Sequence, residues 1–144
     1  MKDHQSGFTM LEMLIVLSIV GIMLLLVVPF NYLFLEKEKE KNFIDTFASD
    51  ILFLQAHTRT STSGMRLSYY EEEKKYKIYE DGTTPLIVRE LPKGWEIRMR
   101  KYEYLSFSSR GAVSKLGTIV LKTKRNTYKF IFSLGKGRFR IEKE

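Results

Sequence analysis

Apolar positions fall into two regimes along the chain. From Phe8 to Leu35 they form a block broken by one charge, Glu12, and from Met13 to Leu35 the chain runs 23 residues without any Asp, Glu, Lys or Arg. At ~1.5 Å per residue a helix of that length spans a hydrocarbon core of ~30 Å, so the block predicts a single membrane-spanning helix. Past the charged run Glu36 to Lys41, the residues Phe43, Ile44, Phe47, Ile51 and Leu54 recur at three-and-four spacing, with Asp45, Ser49, Asp50 and Gln55 away from that stripe. One long helix from about Thr9 to Thr58 is the expectation. The Ser/Thr-rich stretch from Thr58 to Gly64 ends it, and the period then changes to two. Arg66–Tyr70, Tyr76–Tyr79, Leu86–Glu90, Trp95–Arg100, Tyr104–Ser108, Thr118–Thr123, Tyr128–Leu134 and Arg138–Glu142 read as strands, with Asp81-Gly82, Pro92-Lys93-Gly94 and Arg110-Gly111 among the turns between them. A lone helix with one apolar outer face, followed by sheet and no further helix, is best satisfied when the sheet packs on the helix. The expected fold class is α+β: a long N-terminal transmembrane helix with an antiparallel β-sheet on its outer half.

Length and composition narrow this picture. A chain of 144 residues fits one domain with an appendage. With no cysteine there is no disulfide scaffold, thiolate metal site or thiol nucleophile. The net charge of +7 is concentrated late: residues 97–144 hold 13 Lys or Arg against Glu103, Glu142 and Glu144, giving 13 − 3 = +10. Lys122, Lys124, Arg125, Lys129, Lys136, Arg138 and Arg140 stand out, and the alternation of Lys129 and Arg140 with Phe130, Phe132 and Phe139 predicts an apolar inner and a basic outer sheet face. Such a face is either a solubilising surface or a contact for DNA phosphates. His4 and His57 have no second ligand at metal spacing, Gly135-Lys136-Gly137 lacks the setting of a phosphate loop, and no serine sits in a nucleophile elbow. The sequence predicts no metal, no cofactor and no enzyme activity.

The informative charge is Glu12. A carboxylate at a span centre costs on the order of 2.5 to 3.5 kcal/mol, so it either reaches the headgroups from the end of the span or meets a specific cation. A cut after Gly7 would create such a cation, an α-ammonium on Phe8 four residues from Glu12. Pro29 removes an N–H from the helix and loosens it, and Gly21 is a second weak point.

Ser-Gly-Phe-Thr-Met-Leu-Glu, residues 6–12, resembles the class III signal of type IV prepilins and pseudopilins, and the likeness continues through Gly21 and Pro29. The resemblance implies that residues 1–7 are a leader removed by a prepilin peptidase between Gly7 and Phe8, that Phe8 is then N-methylated, and that Glu12 pairs with a neighbouring subunit's terminal amine during filament assembly. It also implies a topology set by that machinery, with the globular part outside, where lysine counting alone favours the reverse. On this basis residues 8–35 are the transmembrane and assembly helix, 36–64 the outer amphipathic helix and loop, and 65–144 the sheet domain of a pilin-like fold. Ile78 to Gly82, Tyr104 to Gly111 and Ser133 to Phe139 are similar to the sheets of H-type pseudopilins of type II secretion and, more closely, of the ComGD-type competence pseudopilins of Gram-positive bacteria. The implied partners are other pilins or pseudopilins, the prepilin peptidase, a platform protein, an assembly ATPase and, directly or through the filament, DNA. The implied location is the cell membrane and, after assembly, a surface filament.

Overall fold

The computed structural model describes residues 8–60, 64–100, 103–115, 117–133 and 137–144; the side chains of 26–33 and 100 lie outside the description. Helix α1 runs Met10–Thr58. Eight strands follow: β1 Arg66–Tyr70, β2 Lys75–Tyr79, β3 Pro85–Glu90, β4 Glu96–Arg100, β5 Tyr104–Ser106, β6 Thr118–Lys122, β7 Thr127–Phe132 and β8 Phe139–Lys143. The chain forms two compact units, Met1–Phe43 and Ile44–Glu144.

In the second unit the strands make two four-stranded antiparallel sheets where one was expected. Sheet A has the order β3-β2-β1-β5 and sheet B the order β4-β6-β7-β8. The chain leaves sheet A after β3, enters B as β4, returns to A as β5 and finishes in B. The hairpins β1–β2, β2–β3, β6–β7 and β7–β8 follow the expected meander, whereas the connections on either side of β4 and β5 cross between sheets. Turn chemistry marks where a strand stops, but not which sheet the next one joins. Gly82, Gly94, Gly111 and Gly137 all have positive φ, and among other described residues only Lys74 does, at the β1–β2 turn.

The stripe on the outer part of α1 is buried as its spacing requires: Phe47, Ile51 and Leu54 are fully enclosed. The Phe47 ring stands edge-on to Tyr76 of sheet A and to Phe130 of sheet B, each at 5.0 Å between centroids. One helical side chain thereby joins both sheets into one core. Leu67, Ile78 and Leu105 meet it from sheet A, and Ile119, Leu121 and Phe130 from sheet B. Asp50 and Gln55, expected on the polar side of the helix, both turn inward. Asp50 is buried and accepts a hydrogen bond from the Tyr76 hydroxyl at 2.7 Å and from Arg89 Nε at 3.3 Å. Gln55 Nε2 donates to the carbonyls of Gly111 at 2.6 Å and Gly137 at 2.9 Å, tying two loops to the helix.

Candidate functional site

The amino-terminal candidates sit at the start of α1. Thr9 is the N-cap: its carbonyl accepts from Met13 N at 3.2 Å and its hydroxyl oxygen accepts from the Glu12 amide at 3.3 Å. Thr-x-x-Glu is the spacing of a capping box, and it puts Glu12 in the first helical turn, where exposed amides favour a negative charge. Phe8 precedes the cap and is 78% exposed. Every side chain from Phe8 to Leu25 is exposed, including Leu11, Ile15, Ile19, Ile22 and Leu24, so this stretch presents apolar side chains all round the helix. A helix of that kind buries its surface in lipid or against other helices. Gly21 lies in the helix with open space where a Cβ would stand. Pro29 is also within α1, its side chain outside the description, and Gly7 lies outside the described residues. The described apolar part of α1, Met10 to Leu25, is ~24 Å long at ~1.5 Å per residue. Among the described residues no helix is long and apolar enough to cross a membrane.

The basic candidates belong mainly to sheet B. Cross-strand register places Lys122 opposite Thr127, Val120 opposite Lys129 and Lys129 opposite Glu142, and Ile131 opposite Arg140. Lys122, Lys129 and Arg140 therefore share one face, with Val120 and Ile131 among them, while Tyr128, Phe130 and Phe132 are buried on the other. Two of these cations are engaged: Lys129 pairs with Glu144, and Arg140 Nε with Glu142 at 2.9 Å. Lys124 and Arg125 form the β6–β7 turn, which closes as Thr123 Oγ1 accepts from the amides of Arg125 and Asn126. Lys124 extends across the β3–β4 turn, within 3.6 Å of where a Cβ on Gly94 would stand. Arg138 is exposed beside Gln55 and Phe139, and Lys136 lies outside the described residues. The expected basic residues thus form a charged face on sheet B and a separate turn cluster. No group of acidic or histidine side chains suited to a metal ion occurs among the described residues.

The sequence reading missed the outer face of sheet A. Arg66, Ser68 and Tyr70 of β1 alternate with the buried Leu67, and register sets Arg66 opposite Tyr79 and Ser106, and Ser68 opposite Lys77 and Tyr104. The Arg66 guanidinium lies over the Tyr79 ring at 5.5 Å and the Tyr104 ring at 6.0 Å, and Lys77 Nζ lies over Tyr70 at 4.6 Å. The Tyr70 and Tyr79 hydroxyls are 3.0 Å apart, and that hydrogen bond pushes the Tyr79 phenol up to about 12. The available signal was the tyrosine and cation content at alternate positions of β1 and β2.

Residues 2–28 match the family described as the prokaryotic N-terminal methylation motif. No curated protein and no solved structure matches the chain. The matched segment contains Gly7, Phe8, Thr9 and Glu12, and with the α+β architecture it supports a type IV pilin or pseudopilin family for this chain.

Proposed function

We propose that this protein is a non-enzymatic minor pseudopilin of the ComGD type, which assembles through its amino-terminal helix into an envelope filament serving DNA binding and uptake in transformation. The observation that carries the reading is the methylation motif at the head of an apolar helix whose described surface is bare on every side. Residues 8–35 hold the subunit in the membrane until assembly exchanges lipid for neighbouring helices. Prepilin peptidase cleaves the 1–7 leader and methylates Phe8, and the Phe8 amine of one subunit neutralises Glu12 of the next. Residues 65–144 stand outside the cell membrane of a Gram-positive host, reached through the segment 36–64. Gly21 and Pro29 give the helix the compliance it needs to fit among its neighbours.

The test is transformation frequency in a competent parent, its deletion mutant and the mutant complemented with the wild-type chain. Loss by orders of magnitude, restored by complementation, is the expected result. Unchanged frequency removes the competence assignment and directs attention to secreted proteins missing from the medium, the readout of a pseudopilin of protein secretion.

A further inference from the structure

We infer that the outer face of sheet A binds single-stranded nucleic acid, with Arg66 and Lys77 meeting phosphates and Tyr70 and Tyr104 offering rings to bases. The inference narrows the DNA binding proposed above to one face and to unpaired strands, and it is argued from the sheet alone.

The first observation is a half-buried cation without a counter-charge. Among the described residues no carboxylate pairs with Arg66; its Nη2 donates to the Gly82 carbonyl at 3.1 Å, and its Nε is buried with no hydrogen-bond partner. The guanidinium is held in place by Tyr79 and Tyr104 and by the approach of Gly82, where a Cβ would come within 3.2 Å of Nη2. A fixed guanidinium with donors left over is suited to an oxyanion. The second observation is the ring arrangement. Tyr70 and Tyr104 are 37% and 40% exposed and lie on the same face as Arg66, while Tyr79, opposite Arg66 on β2, is buried. Residues two apart on a strand are ~6.6 Å from each other, so the face presents aromatic and cationic groups at short, regular intervals.

The ligand follows from that combination. Aromatic side chains on a sheet with cations between them stack unpaired bases and track a phosphate backbone, whereas paired bases in a duplex keep their faces covered. The acidic neighbours are weak competitors: Glu73 holds Lys77 and Glu90 holds Lys75 in ion pairs with exposed carboxylates, which exchange readily for phosphate. Sheet B, by contrast, carries cations on its outer face with no exposed ring beside them among the described residues, the pattern of general attraction to anions.

The experiment uses the full chain in detergent micelles and a fluorescein-labelled oligothymidylate, with a duplex of equal phosphate number and poly-L-glutamate as comparisons. The expected result is tighter binding of the oligothymidylate than of either comparison. Tyr104→Ala weakens it about fivefold or more and Tyr104→Phe preserves it, since a ring suffices for stacking. Arg66→Gln weakens it and lowers the logarithmic salt slope by about 0.7. Lys129→Gln on sheet B leaves it unchanged. Circular dichroism checks each variant, and Tyr70→Ala replaces Tyr104→Ala should the latter not fold. Absence of binding overturns the inference. So does equal binding of duplex or polyglutamate, or binding that folded Arg66→Gln and Tyr104→Ala leave intact. Transformation is not the readout, so the outcome here and that of the competence assignment are separable.

Discussion

At the scale of single residues, Asp50 and Asp81 do different work with the same carboxylate. Asp50 is enclosed and takes both the Tyr76 hydroxyl and Arg89 Nε. Burial first, and then this carboxylate, push the Tyr76 phenol well above its ordinary range. Asp50→Ala removes the carboxylate that accepts from the buried Tyr76 hydroxyl and from Arg89 Nε, and is expected to cost about 1–3 kcal/mol, read as a lower urea midpoint with unchanged slope. Asp81 lies exposed in the β2–β3 turn, where its carboxylate accepts from the Thr83 amide at 2.9 Å and the Thr84 amide at 3.2 Å. The amide of Thr83 above all lowers its carboxyl from 3.8 to about 2. Because the folded value is the lower one, the turn's contribution is complete above the ordinary carboxyl value and is lost as pH falls through about 2. Melting temperature measured across that acid range is expected to fall less steeply in Asp81→Ala than in the wild type. The Asp81-Gly82 turn was legible in the sequence, since both residue types favour such a bend. The inward turn of Asp50 was not, because its partners stand 26 and 39 residues further along the chain.

At the scale of elements, the outer part of α1 is the common wall of both sheets. Phe47 meets a ring from each, so Phe47→Ala is expected to remove about 3–5 kcal/mol and to loosen the two sheets together, seen as one cooperative transition at lower denaturant. Gly137 is a sharper constraint. With φ at 58°, a Cβ there would fall 1.9 Å from the Gly111 carbonyl oxygen and 2.0 Å from Gln55 Nε2. Gly137→Ala is therefore expected to break the Gln55 clamp and destabilise by about 1–3 kcal/mol or more, whereas Gly21→Ala, with open space around it, leaves thermal stability unchanged. The helix and all eight strands were legible to within a few residues, because period and turn residues are local signals. The division into two sheets was not, since it depends on connections that exchange partners across the core. On the basic face, alternation located Lys129 and Arg140 together and sets Glu142 two residues from its partner Arg140, but the pairing of Lys129 with Glu144 became visible only once β7 and β8 were seen side by side.

At the scale of the whole molecule, the amino-terminal segment was the most legible part, since its information lies in consecutive residues: an N-cap, an acid at the third helical position and an apolar run. Glu12→Val is expected to leave membrane association intact and to abolish incorporation into the pilin complex, scored by co-purification with the other pilins; normal incorporation would count against the assembly role. The path through the second unit has another kind of consequence. A protease nick between β3 and β4 leaves β5, on the carboxyl fragment, still paired with β1 on the other. A nick between β5 and β6 leaves β4 laced to β6 in the same way. The two pieces of a chain cut at either crossing remain clasped without a covalent bond, and fragments expressed separately should find each other and refold as one body.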